Sequence, residues 1–301
     1  MKKNNWLSYY IYTELSLDKI IVELIKPTLE ELENKKLLKS YFFIRYWENG
    51  PHIRLRVLSY SSEDNSVIET TVNKKVESYF SKQKDEYSLE SNNYIREIDR
   101  YGGEQAIIIS EKQFQDSSKI VLELLNDNFN KWNYTTAISF AIQMHLIFAK
   151  NVIKDIDKSI AFFESILNNW IQYSIKKDDQ GKITDNEMKK VLTFFNNSYI
   201  SQEKVLTYIS DTIWNDNEKS EWIDTWKLLS KELRGLTIES IENIKTPSWF
   251  KLNKDGKLSV EDQKIFSIYD SYIHMTNNRL GVHLRDEAFI AFLIVKGLKS
   301  V

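Results

Sequence analysis

The chain has no cysteine in its 301 residues, and only three prolines and eight glycines. Without cysteine there are no disulfides, thiolate nucleophiles or thiolate metal sites, which fits a reducing, cytoplasmic setting. So little Pro and Gly leaves few breaks in the chain and favours long helices joined by short links. Lys and Arg number 41 against 43 Asp and Glu, a formal charge of −2. No bulk basic field is available to hold nucleic acid by its phosphates, so any anion site has to be local. No window approaches about 18 uninterrupted apolar residues, and no membrane span is predicted. The start, MKKNNWLSYYIYTELS, runs from two lysines into a strand-like alternation, without the apolar stretch and small-residue cleavage site of a signal peptide.

Motifs for common chemistries are missing too. Tyr101-Gly102-Gly103 lacks the further glycine and the lysine of a phosphate loop, and no G-x-S-x-G elbow occurs. The four histidines, His52, His145, His274 and His283, have no zinc-binding spacing. His145, in AIQMHLIFAK, reads as a satisfied core histidine. Two segments, KKDDQGKITDNE (176–187) and KLNKDGKLSVED (251–262), imitate calcium loops but begin with lysine where the ion needs a carboxylate. Thr184 with Glu187 and Ser259 with Asp262 instead have helix-capping spacing. No metal or other cofactor is expected.

The residues present divide the chain. Residues 6–13, 41–47, 52–59 and 94–103 read as strands, and residues 17–38, interrupted at Pro27, and 64–81 as helices. From residue 104 on the apolar spacing is helical, over 104–126, 134–152, 157–175, 185–196, 202–214, 219–244, 259–279 and 284–298. Trp132, Trp170, Trp214, Trp222, Trp226 and Trp249 read as helix-packing residues. The prediction is an α+β chain forming one domain over 1–301. A β-rich subregion (1–118) with an antiparallel hairpin packs against a mainly helical subregion (119–301).

The stretch NGPHIRLRV raises the functional question. In a strand His52, Arg54 and Arg56 share one face, while Ile53, Leu55 and Val57 take the core face. If Asn49-Gly50 is a two-residue turn, Arg45 lies opposite Arg54, Trp47 opposite His52 and Phe43 opposite Arg56. The cations are then either solvated or paired with acids of the helical part, or they line a carboxylate or phosphate pocket. A second group stands in YIREIDRYGG, with Arg96 and Arg100, and a third in SYIHMTNNRLGVHLRDE. There His274 shares a helix face with Asn277 and Asn278, and Arg279 sits near a glycine-marked helix end.

YFFIRYWENGPHIRLRV, IDRYGG and IHMTNNRLG, in that order behind a Trp6-containing strand, resemble the C-terminal (SpaB C-type) domain of lantibiotic dehydratases, a family that includes stand-alone thiopeptide-type bacteriocin biosynthesis proteins. The resemblance implies removal of glutamate from glutamylated Ser or Thr of a ribosomal precursor peptide, giving dehydroalanine or dehydrobutyrine. It marks Arg54, Arg56, Arg100 and His274 as the catalytic set; Arg45, His52, Asn278 and Arg279, their neighbours by strand pairing and helix spacing, are expected to bind substrate. The implied partners are the precursor peptide, leader plus glutamylated core, a tRNA-dependent glutamylating subunit and other peptide-modifying enzymes. Direct nucleic-acid binding is not implied, and a homodimer is compatible. Two alternatives stay open: a pyridine synthase joining two dehydroalanines by formal [4+2] cycloaddition, whose members depart from the arginine and histidine pattern, and a non-catalytic subunit that binds a leader peptide by strand addition.

Overall fold

The computed structural model describes residues 6–177, 181–248 and 258–301. Trp249 and parts of both calcium-loop-like segments (178–180 and 251–257) lie outside the described residues, as do residues 1–5.

The chain forms two compact units, Met1–Glu97 with Glu111–Trp132, and Ile98–Ser110 with Asn133–Val301. The first begins with β1 (Trp6–Thr13), α1 (Leu17–Ile20) and α2 (Lys26–Asn34). The break expected at Pro27 is not there. Residues Ile21–Ile25 wind as one π-type turn, and Pro27 falls in the first turn of α2, where its missing N–H is tolerated. β2 (Leu38–Tyr46), β3 (His52–Ser59), α3 (Asn65–Gln83) and β4 (Tyr87–Asn92) follow, then α4 (Ala106–Asp127), whose first residues belong to the second unit. The four strands form one antiparallel sheet in the order β2-β3-β1-β4. One sheet face carries Tyr9, Ile11, Phe43, Ile53, Leu55 and Val57, all at most 1 % exposed, and is the core of this unit.

The hairpin register and the fourth strand differ from what the sequence predicts. Tyr46 pairs with His52, Ile44 with Arg54 and Phe42 with Arg56, one residue off the expected register. The connection is five residues, 47–51, rather than two. Asn49 and Gly50 both take left-handed φ, of 62° and 107°, and the Pro51 carbonyl accepts from the Thr13 N–H. A one-residue slip moves a side chain to the other face. Arg45 therefore joins Ile53 on the core side, where it is 4 % exposed and pairs with Asp18 at 2.6 Å. Residues 94–103 are also not a strand; the fourth strand is β4, where alternation is weak because nearly every residue is exposed.

In the second unit, residues 98–103 form a turn in which Gly103 N–H bonds the Ile98 carbonyl and Gly102 N–H the Asp99 carbonyl. Gly102, at φ +81°, lies so close to its neighbours that a Cβ would sit 2.7 Å from Ile268 Cδ1 and 3.0 Å from the Lys245 carbonyl oxygen. Glycine is required there by conformation and by space. The helices are α5 (Tyr134–Val152), α6 (Ile156–Trp170), α7 (Asp185–Trp214), α8 (Glu221–Glu239), α9 (Val260–Leu280) and α10 (Glu287–Leu298). The two helices expected over 185–214 are the single α7, since no Gly or Pro interrupts residues 197–201. Thr184 Oγ1 accepts the Glu187 N–H and Ser259 Oγ the Asp262 N–H, the caps expected from their spacing. α9 ends in a Schellman motif, with Gly281 N–H on the Asn278 carbonyl, Val282 N–H on the Asn277 carbonyl, and Gly281 at φ 85°.

Candidate functional site

On the sheet face opposite the core, β3 presents His52, Arg54 and Arg56, with Tyr46, Ile44 and Phe42 beside them on β2 and Tyr12, Tyr10 and Ser8 on β1. His52 is fully buried, and its two ring nitrogens have different tasks. Nδ1 lies 2.9 Å from the Gly50 carbonyl and so carries the hydrogen, while Nε2 accepts the Arg54 Nε–H at 3.0 Å. Burial holds its pKa below the ordinary value. The Arg54 guanidinium sits 3.4 Å from the centre of the Tyr46 ring and 4.5 Å from that of Tyr10. A flat guanidinium between two electron-rich faces is held in orientation without losing its terminal donors.

Arg56 is 4 % exposed among Tyr10, Phe42 and Tyr94, whose ring centres lie 5.3, 6.0 and 5.5 Å away. Its Nε and Nη1 have no hydrogen-bond partner among the described residues. No carboxylate lies within ion-pair distance of Arg54 or Arg56 among the described residues. Burial pushes the Arg56 pKa down to about 10, and the Arg54 charge adds to the effect. A buried cation beside another cation, with two unmet donors, costs free energy unless an anion completes it. Arg96, the other cation of the YIREIDRYGG stretch in this unit, is already held by both oxygens of Glu111 at 2.7 Å.

The second unit holds the other constellation. Arg100, in the 98–103 turn, donates from Nε to Ser271 Oγ at 3.3 Å. Ser271 and His274 are three residues apart on α9, on neighbouring positions of one face. His274 Nδ1 lies 2.8 Å from Oε1 of Glu287, which opens α10 and is 2 % exposed. The imidazole stacks on Trp170 at 4.9 Å and 15°. Trp170 Nε1–H in turn donates to Asp270 Oδ1 at 2.7 Å, and Asn169 Nδ2 to Asp270 Oδ2 at 3.3 Å. Burial raises the Asp270 pKa to about 6; the Glu287 charge pushes the same way, against the two hydrogen bonds and the His274 charge.

Asn278 is half-buried, and its carbonyl serves the helix end. Arg279 is fully buried and donates to the Met275 carbonyl, so its guanidinium supports the end of α9. His145 lies with Nε2 2.7 Å from Asn277 Oδ1 inside the core, and burial lowers its pKa to about 4. A neutral His145 must donate there, because the amide oxygen can only accept. The sequence reading missed Glu287, Asp270 and the role of Trp170. The spacing Asp270-x-x-x-His274 was available as a signal, whereas Glu287 and Trp170 reach His274 only through tertiary packing. Among the described residues no group of three or more His, Cys, Asp or Glu could hold a metal ion, and no helix is long and apolar enough to cross a membrane.

A family model described as lantibiotic biosynthesis dehydratase C-term matches residues 6–297. The nisin biosynthesis protein NisB of Lactococcus lactis subsp. lactis is 27 % identical over 97 % of this chain, which spans 25 % of that relative's length. Among solved structures, TbtD, a pyridine synthase from thiomuracin biosynthesis, superposes with a TM-score of 0.71 at 13 % identity over 99 % of both chains. The tRNA-dependent lantibiotic dehydratase MibB from Microbispora sp. 107891 gives 0.64 at 14 % identity, over 99 % of this chain and 28 % of MibB. TsrL also gives 0.64 at 14 %, over 98 % of this chain and 95 % of its own. At these identities the structural likenesses establish the fold.

Proposed function

The chain belongs to the lantibiotic biosynthesis dehydratase C-terminal family, and we propose that within it this protein removes glutamate from glutamylated Ser and Thr side chains of a ribosomal precursor peptide. The reaction is a β-elimination. A base takes the Cα proton, the electron pair becomes the Cα=Cβ bond, the Cβ–O bond breaks, and glutamate leaves as a carboxylate. Dehydroalanine or dehydrobutyrine remains in the peptide.

The observation that carries this reading is the arginine pair. Among the described residues, Arg56 is buried with two unmet donors, and Arg54 beside it is held flat between tyrosines with no carboxylate in range. Departing glutamate has two carboxylates, and guanidinium forks bind carboxylates in parallel hydrogen bonds. His274 is the acid–base group, since its imidazole can take up a proton at Nε2 while Nδ1 is backed by a buried carboxylate. Arg100, tied to the same helix face through Ser271, supplies positive charge for the enolate-like oxygen. The glutamyl ester comes from a tRNA-dependent glutamylating component, and the precursor's leader is the natural handle for recognition.

The test is to incubate the chain with a glutamylated precursor peptide and follow its mass. A product lighter than the ester by one glutamic acid, and so lighter than the unesterified parent peptide by one water, supports the reading. An ester that persists overturns it. Cyclisation of an already dehydrated peptide would identify a pyridine synthase, the activity carried by TbtD on the same fold.

A further inference from the structure

We infer that Glu287 and Trp170 are positioning residues that hold His274 as its Nδ1–H tautomer and leave Nε2 as the reacting nitrogen. The inference rests on the elimination reading for the identity of the reaction, but not for the state of the imidazole.

Glu287 lies where a long acidic side chain is seldom found. It is 2 % exposed at the start of α10, Oε1 is 2.8 Å from His274 Nδ1, and Oε2 has no partner among the described residues. A carboxylate can only accept, so Nδ1 must carry the hydrogen. An ionised acid with one bond and one orphan oxygen is costly in a protein interior. That cost is offset when the neighbouring imidazole becomes cationic, which is what proton uptake at Nε2 produces. The pair is therefore better satisfied after proton abstraction than before it, the sense of complementarity a catalytic base requires.

Trp170 acts on the other degree of freedom. Nearly parallel to the imidazole at 4.9 Å, it restricts the His274 ring plane, and its own indole is fixed by the 2.7 Å bond to Asp270. Three helices thus converge on one ring: α6 through Asn169 and Trp170, α9 through Asp270 one turn before His274, and α10 through Glu287. The charged or titratable groups around the imidazole are Glu287, Asp270 and, through Ser271, Arg100. Among the described residues only Glu287 makes a hydrogen bond to the ring. Orienters of this type fix both tautomer and aim, and their loss lowers turnover more than binding.

Nitrogen-15 NMR of histidine-labelled full chain reads the tautomer directly, with four histidines to resolve. At neutral pH and without substrate, the expected spectrum has His274 protonated at Nδ1. Glu287→Gln should shift it toward a mixture and lower kcat by roughly 10²-fold with KM little changed, and Glu287→Asp should recover part of both. Trp170→Phe keeps the stack but removes the Asp270 bond, and should lower kcat by a smaller factor, about 10-fold. An Nε2–H tautomer in the parent protein overturns the inference without any variant having to fold. So does a Glu287→Gln protein with the parent tautomer and parent kcat. If the chain proves inactive on glutamyl esters, the elimination reading fails, while the tautomer still decides this inference.

Discussion

The Nε–H of Arg54 donates to Nε2 of His52 across 3.0 Å, and His52 passes its own hydrogen to the Gly50 carbonyl. The hairpin turn is thereby wired to the cation it precedes. Arg54→Lys keeps the charge but loses both the Nε bond and the flat fork between Tyr46 and Tyr10. Weaker glutamyl binding is expected, about 10-fold in KM, with a melting temperature close to the parent. Steady-state kinetics on a glutamylated peptide check it; an unchanged KM would place Arg54 outside the binding face.

Arg56 separates function from stability. A buried cation with unmet donors is a liability to the fold, so Arg56→Met should leave stability equal or raise it, by up to about 1–4 kcal/mol. Activity should fall by about 10- to 100-fold or more, from lost charge-assisted hydrogen bonds. Denaturant melts and turnover, measured on the same sample, give both numbers. Loss of stability with full activity would show that Arg56 is a structural group.

Two buried titrations oppose each other. The Asp270 pKa is raised from 3.8 to about 6, so between these values the folded chain holds a proton that the unfolded chain releases, and stability rises as pH falls. The His145 pKa is lowered from 6.5 to about 4, so across that range the unfolded chain takes the proton first and stability falls with pH. Each amounts to roughly 3 kcal/mol at 1.36 kcal/mol per pKa unit. The parent should therefore show a shallow profile between pH 4 and 6.5. Asp270→Asn should lose stability steeply on acidification, and His145→Gln should gain it. Parallel slopes in all three proteins would contradict the assignment.

Gly102→Ala should cost about 1–3 kcal/mol, because the added Cβ meets Ile268 and the Lys245 carbonyl at a left-handed φ. The same turn carries Arg100, so turnover should drop with stability. A fully stable, fully active variant would show that the turn has room to adjust.

Much of the architecture was legible in the chain. Trp6–Thr13, His52–Ser59 and Tyr134–Val152 have the predicted bounds, because alternation in the strands and one broad apolar face in the helix leave little ambiguity. The Arg54 and Arg56 side chains were correctly assigned to one face by their spacing. The hairpin register was not legible: Asn49-Gly50 suggested a two-residue turn, but Pro51 lengthens the loop, and the one-residue difference turns Arg45 into the core beside Asp18. The His274 surroundings were legible only in part. Sequence spacing finds neighbours on one helix, and Trp170 and Glu287 come from two others.

The most direct test of elimination uses a precursor peptide carrying a glutamyl ester on serine deuterated at Cα. The account predicts that glutamate and the Cα deuterium are lost together, leaving dehydroalanine, with turnover slower than for the protium ester and abolished in His274→Ala. Release of glutamate with deuterium retained and serine regenerated would be hydrolysis, and would contradict it.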